Sequence, residues 1–546
     1  MTASWRTVGV QRTVLAVART TTSLNRLLDV LPVFADDSRI QIVFTVDEGS
    51  AFSEGVEDHL RAMGTRVVGW ADAVKTEFDL VLAASDHTDL HELRGPLVLF
   101  PHGAGFQKYS PHRRTGTREL SGLTRSALWH DGKPVPARIV LSHGDQLRHL
   151  EDVAAELTER AIVAGDPCLD GLLALAQHRE TWRTSWGLHP EHTLVTVAST
   201  WGDGSALGRR PALPAQLLAE LPYDEFRVAA VLHPNVWAHH GRWQVRHWLR
   251  RASSAGLILP SPTGAWQAAV ASAQCLIGDH GSLTAYASAL SIPLMLAAFN
   301  ADEVPDGSAM AELGAVMPSL DEQRPYAPQI RAAIDGSDAG VLARLADRVF
   351  AHRGQSLQLL QHELYDLLAL QPPGHPPLPA ALTGPPLTVT HPESFQVEAE
   401  VLRDEVQLQR FPAAMIDRPP DRRRHLVSTG GESDARMREN AAVLVETPFR
   451  DRDPETWARG TLARHPGCRL VACSPSPDVM LLWLRDGRSF TATIRHRSSA
   501  AWDTRLAASA LYSLFVRGLS LDVPLRVSAG RTSAVVAFVQ SSSDSS

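Results

Sequence analysis

Three short segments hold the residue types that acid–base and phosphate chemistry need. In Leu97-Val-Leu-Phe-Pro-His102-Gly103-Ala-Gly105-Phe-Gln-Lys108 an apolar run ends in an imidazole, two glycines and an ammonium group. A strand stopping there sets His102 beyond its carboxyl end, where ligands bind in open α/β sheets, and the glycines allow close backbone approach. In Ile277-Gly278-Asp279-His280-Gly281-Ser282-Leu-Thr284 a second apolar run meets a Gly/Ser turn that opens a helix. The free N–H groups of such a turn bind anions. Val231-Leu232-His233-Pro234-Asn235 places another imidazole just past a buried run.

An imidazole with an ordinary pKa near 6.5 can take the proton of an attacking hydroxyl. No carboxylate cluster for Mg²⁺ is visible, so charge growing on a leaving group falls to the helix start at Ser282, to His233 and to Lys108. Each residue also has a plain structural reading. His102 is one of 23 histidines and could cap a loop; Ser282 or Asp279 could cap the helix or its turn; His233 could pack beneath Trp237. Lys108, with His112, Arg113 and Arg114, could belong to a solvated loop. Trp237, Trp243 and Trp248, like Trp201 and Trp266, read as core rather than a stacking pocket, and Arg418 with Arg422, Arg423 and Arg424 as a solvated run.

Residues at strand ends need strands that stop in line. From residue 10 to about 300 short apolar runs alternate with helical stretches, the pattern of βαβ units in a mostly parallel sheet. Strands are predicted at Thr13–Ala18, Ile40–Val46, Arg66–Gly69, Asp79–Ala83, Pro96–Phe100 and Arg138–Leu141. A second series is predicted at Thr193–Ala198, Arg227–Leu232, Gly256–Leu259, Gln274–Ile277 and Pro293–Ala297. The fold class is therefore α/β, with two doubly wound domains in tandem at 1–164 and 165–370. A helical stretch, Ala339–Leu370, should close the second. The prolines of 371–386 mark a linker, and 387–546 a smaller accessory α+β domain. Its strands are predicted at Ala441–Val445, Arg469–Ala472, Val479–Leu484, Phe490–Ile494 and Ser533–Val539, with a helix near Ala500–Arg517 and a serine-rich tail from Gln540.

Composition narrows the function classes. With 53 Lys+Arg against 60 Asp+Glu the 546 residues carry a net charge of −7, which gives no whole-chain field to draw the protein onto nucleic acid. Cys168, Cys275, Cys468 and Cys473 form no CxxC pair or Cys/His metal spacing, which suits a reducing cytoplasm. Val14–Ala18 is too short for a signal h-region, and the apolar stretch Leu283–Phe299 is broken by Thr284, Ser288, Ser291 and Pro293. A spanning helix is not expected, while peripheral attachment at the inner face of a membrane stays compatible with the sequence.

In order, the motifs resemble those of the CDP-glycerol glycerophosphotransferases, which polymerise wall teichoic acids. Pro101-His102-Gly103 with Lys108 is similar to that family's Trp-His-Gly-Thr and downstream Lys; Gly165-Asp-Pro167-Cys-Leu-Asp170 to its Gly-x-Pro-x-x-Asp; Ser199-Thr200-Trp201 to its strand ending in Pro-Thr. His233-Pro234 matches its His-Pro, and Gly278-Asp279-His280-Gly281-Ser282 stands where it has Thr-Asp-Tyr-Ser-Ser. The resemblance spans about 97 to 299 and implies a GT-B fold, two Rossmann-like domains facing a cleft. It further implies transfer of a polyol phosphate from a CDP-activated donor to a hydroxyl acceptor, with no metal and no cofactor. His102 maps onto the base. Gly103, Lys108, Thr200, His233, Asp279, His280, Gly281, Ser282 and Thr284 map onto donor binding, the first domain facing the acceptor and the second the nucleotide. Pro101 replaces the family's Trp, Ala104 its Thr, and His280-Gly281 its Tyr-Ser. These departures leave two alternatives: a nucleotide-sugar glycosyltransferase or epimerase of the same architecture, and a catalytically silent nucleotide-binding scaffold. The sequence does not set the oligomeric state.

Overall fold

A computed structural model describes residues 9–47, 49, 53–85, 88–109, 120–380, 387–416, 424–450, 452–519 and 523–541. The apolar runs of the first domain become a seven-stranded parallel sheet in the order Val67–Val68, Ile40–Val46, Arg12–Ala18, Leu80–Ala83, Leu97–Leu99, Arg138–Leu141, Ala161–Val163. Both faces are covered, which is why Val14 to Ala18 and Leu80 to Ala83 are entirely apolar: a parallel sheet flanked by helices has no wet side. The strand order reverses beside Arg12–Ala18, the switch point of a doubly wound sheet.

The second domain repeats the plan with four parallel strands, ordered Phe226–Leu232, Thr193–Ser199, Cys275–Gly278, Leu294–Leu296. Its reversal lies between Thr193–Ser199 and Cys275–Gly278, and the turns after those strands carry Thr200 and Asp279. The expected strand Gly256–Leu259 is reduced to one bridge, Ala229 to Ile258. The helical stretch from Ala339 is two helices, Ala339–Asp347 and Ser356–Leu367. Instead of closing the second domain throughout, it crosses back, and Leu357, Leu360, Leu364 and Tyr365 join the first core. The Tyr365 hydroxyl donates to Asp37 at 2.8 Å, and Arg12 donates to the Leu368 carbonyl at 2.8 Å. After the described part of the proline-rich segment, Leu387 and Val389 pack on the second core.

The C-terminal region, expected as a smaller α+β domain, is a closed nine-stranded barrel with helices packed on it. Helix Arg505–Val516 sets Leu506, Ala507, Ala510, Leu511 and Leu514 into the same core as the barrel strands. The barrel is fixed to the second domain by Arg410, which is buried and donates to Asp224 at 2.8 Å and to Asp503 at 2.6 Å. Among the described residues no helix is long and apolar enough to cross a membrane. Arg418, Arg422 and Arg423 lie outside them, and Arg424 pairs with Glu398 at 3.1 Å.

Candidate functional site

The loop after Leu97–Leu99 is anchored by buried Phe100, Ala104 and Phe106, which leaves His102 lining a cleft between the two α/β domains. A Cβ at Gly103 would stand 2.6 Å from the Ser282 hydroxyl, so a glycine there lets the loop reach the second domain. The contact is made by the Ala104 N–H, which donates to Ser282 Oγ at 3.0 Å. Further along, Lys108 Nζ lies 2.7 Å from Glu303, and the Tyr109 N–H donates to the Glu303 carbonyl at 2.9 Å.

Beneath the loop lies a buried polar knot. Arg26, on helix Thr21–Val30, is ion-paired with Asp166 and donates to the Gly103 carbonyl at 3.0 Å and the Tyr286 hydroxyl at 2.7 Å. Tyr286 donates in turn to Asp166 at 2.8 Å, and Asp166 caps helix Pro167–Gln177 by accepting from Cys168 N–H at 2.9 Å. One guanidinium thus joins the first domain, the His102 loop and helix Ser282–Ala289, each charge being matched as burial demands. Asp29, one turn from Arg26, also lines the cleft; burial pushes its pKa up to about 7, with Arg26 opposing. Asp170 accepts from the N–H groups of Gly354 and Leu357 at 2.9 and 3.0 Å and so holds the returning helix.

Across the cleft, Asp279 organises the anion-type turn from within. Its carboxylate accepts from the N–H groups of Thr200 at 2.9 Å, Ala206 at 2.8 Å and Gly281 at 2.8 Å, all of the second domain. Thr284 turns inward and donates to the Asp279 carbonyl at 2.6 Å, so of the expected donor-binding residues it alone does not line the cleft. Helix Ser282–Ala289 has Gly281 at its N-cap and no side-chain cap; the Thr284 N–H closes on the Gly281 carbonyl at 3.1 Å, and the amides of Ser282 and Leu283 form the open start. His280 faces Glu303 at 3.1 Å, with its Nδ1 accepting from Asn300 N–H at 3.4 Å. The His280 and Lys108 bonds hold the Glu303 carboxyl well below the usual carboxylate range.

His233 caps helix Pro234–His240: its Nδ1 accepts from Asn235 N–H at 3.1 Å, which assigns the ring proton to Nε2. Burial, with His102 and Lys108 nearby, lowers its pKa to about 3. At neutral pH His233 is an uncharged N–H donor in the cleft. Trp201, 6.5 Å from the His233 ring, and Trp266 add apolar wall.

His102, Gly103, Lys108, Thr200, His233, Asp279, His280, Gly281 and Ser282, scattered over the sequence, line this one cleft. Lys108 and the Ser282 hydroxyl, read from sequence as phosphate contacts, are engaged with Glu303 and with Ala104. His112, Arg113 and Arg114 lie outside the described residues. Sequence reasoning missed Arg26, Asp29, Tyr286 and Glu303. Only Arg26 left a signal, a cation between Leu24 and Leu27 on the buried side of its helix.

No protein-family model matches the chain, and no curated protein matches it. Solved structures do. The wall teichoic acid polymerase TagF is similar at 12% identity, covering 66% of this chain and 90% of that one, with a TM-score of 0.44. The MnaA–UDP structure from S. aureus is 11% identical over 68% of this chain and 100% of that one, TM-score 0.42. UDP-GlcNAc 2-epimerase from Neisseria meningitidis bound to UDP-GlcNAc is 14% identical over 65% and 100%, TM-score 0.41.

Proposed function

We propose that this chain is a cytoplasmic GT-B-type transferase that moves a polyol-phosphate group from a nucleotide-activated, CDP-glycerol-like donor to a hydroxyl acceptor, without a metal. The observation that carries the reading is the pairing across one cleft of His102 with two uncharged anion-facing features, the His233 Nε2–H and the open start of helix Ser282–Ala289. His102 takes the acceptor's proton as its oxygen attacks phosphorus. The new O–P bond forms as the bond to the nucleoside monophosphate breaks, and the leaving negative charge is met by His233 and the helix amides. The Ala104–Ser282 contact leaves backbone amides, more than the Ser282 hydroxyl, to serve the phosphates. Four free, buried cysteines support a reducing compartment.

Asp29 favours a second reading, sugar transfer or epimerisation on a nucleotide sugar, because a carboxyl with a pKa of about 7 can also carry a proton. Incubating the purified protein with CDP-glycerol or a UDP-sugar and following products by phosphorus and carbon NMR separates the two. Release of CMP, unchanged by a chelator and lost in His102→Gln, supports phosphate transfer. Sugar transfer or inversion without CMP release supports the second reading, and no turnover of any donor overturns both.

A further inference from the structure

Helix Thr21–Val30 turns Leu24, Leu27 and Val30 into the first core, and its other side carries Thr22, Asn25, Arg26 and Asp29, whose spacing puts them on one helix face. All four line the cleft, as does Gln107 on the loop that carries His102. Polar atoms of this wall are left over. Thr22 Oγ1, Arg26 Nε and Gln107 Oε1 are buried, and none of the three has a hydrogen-bond partner among the described residues. Asn25 spends its Nδ2 on the Pro262 carbonyl at 2.9 Å, which leaves its Oδ1 to accept. The Asp29 carboxyl takes a hydrogen bond from the Cys168 thiol and stands 3.9 Å from Arg26, whose Nη atoms are engaged with Asp166, Gly103 and Tyr286. Buried polar groups are almost always paired in a folded protein, so unpaired ones gathered at a cavity mark a place that a ligand completes.

The unpaired atoms are of both kinds. The Arg26 Nε–H needs an acceptor, Gln107 Oε1 needs a donor, and the Thr22 hydroxyl serves as either. A hydroxyl group donates and accepts, so it meets all three. An ionised phosphate only accepts, which would leave Gln107 unmet and set a second negative charge against Asp29. An ammonium group only donates and would face Arg26, and an apolar group would meet none of the three. The opposite wall has another chemistry, with the His233 Nε2–H and the amides of Ser282 and Leu283 offered as N–H donors. We propose that Thr22, Asn25, Arg26, Asp29 and Gln107 form a subsite for an uncharged, hydroxyl-bearing group, a polyol or a sugar. It rests on the reading of this cleft as a substrate site and adds the chemistry of what is held opposite the phosphates. That group belongs to the transferred part of the donor or to the acceptor; the two share one chemistry, and the experiment separates them.

The test is saturation-transfer NMR on the full chain with ribitol or glycerol and, as the charged comparison, glycerate, with no nucleotide present. Both polyols should receive saturation from the protein, and glycerate about fivefold less, a comparison that needs no variant. Thr22→Val with Gln107→Leu, each close in size to the residue replaced, should lower the polyol signal by about fivefold, and Asp29→Leu should do the same. Thr22→Val removes an unpaired buried hydroxyl, so its melting temperature should hold or rise, where loss of a merely structural contact would lower it. Calorimetry with CDP-glycerol and CDP then assigns the source. If the transferred group sits here, CDP-glycerol binds the unmodified protein about fivefold more tightly than CDP, and the double variant removes the difference. If the acceptor sits here, the two nucleotides bind alike in both proteins while the polyol signal is still lost. Polyol binding without CMP release would remove the transfer reading and leave the subsite standing. Polyol binding that is absent from the unmodified protein, that glycerate matches, or that survives both sets of substitutions would overturn the proposal.

Discussion

His102 and His233 face one cleft from opposite domains with different proton duties. His233 stays neutral because its Nδ1 is held by a backbone N–H and its half-buried ring is desolvated in the cleft, so it can donate to an anion but cannot act as a base at neutral pH. In the proposed transfer reading His102 is left to move the proton. His102→Gln should lower turnover by about 10²–10⁴ with no change in the unfolding midpoint, checked by single-turnover kinetics beside a thermal melt. Asp29 gives a pH signature with a definite sign. Its carboxyl titrates near 7 when folded and near 4 when unfolded, so the folded chain binds the extra proton between those values. Stability relative to Asp29→Asn should be greatest below about pH 4 and fall as pH rises to about 7, by about 1.4 kcal/mol per pKa unit of displacement. Urea unfolding of both proteins at several pH values reads this directly, and a difference that does not vary with pH contradicts it. His102 and His233 were legible in the sequence because each follows an apolar run, a local signal. Arg26 and Glu303 were not, because what they do depends on partners as far away as 140 and 195 positions, Asp166 and Lys108, which only the closed cleft brings together.

Turns and helix starts, held from inside, set this geometry. Asp279 gathers three N–H groups and so shapes the turn that opens helix Ser282–Ala289. Asp279→Ala leaves those donors without an acceptor, at about 1–3 kcal/mol for each that stays buried. The expected result is a lower melting temperature together with weaker nucleotide binding by calorimetry. A normal melt with weak binding would instead make Asp279 a direct ligand. At this scale the sequence was readable wherever strands are buried on both faces, as in Thr193–Ser199 and Phe226–Leu232. Ser394–Val401 and Glu405–Pro412 escaped notice because Gln396, Glu398 and Glu400, and Gln407 and Gln409, interleave their apolar positions, as barrel strands with one outer face require.

For the whole molecule, the proline-rich segment suggested a detachable C-terminal region, and the buried Arg410–Asp224–Asp503 cluster argues for one body. Tyr223, a residue of the second domain, lies in the barrel's core cluster, and its N–H donates to the Arg410 carbonyl at 2.7 Å. Composition could not reveal a contact made across 186 positions. Arg410→Ala takes the ion-pair partner from buried Asp224, while Asp503 keeps Arg505, and should cost about 3–5 kcal/mol in denaturant unfolding. A loss confined to a separate barrel transition, with the α/β transition unchanged, would show that the barrel unfolds independently. In the proposed reading the cleft between the α/β domains holds a nucleotide's phosphates through His233 and the start of helix Ser282–Ala289. Calorimetric titration of CDP, UDP and GDP into the unmodified protein and His233→Phe tests it most directly. One nucleotide should bind the former and stabilise it by about 2.7 kcal/mol at 100 times its Kd, with affinity at least tenfold lower in the variant. Binding of equal strength in both proteins, or of no nucleotide by either, would contradict this placement of the phosphates.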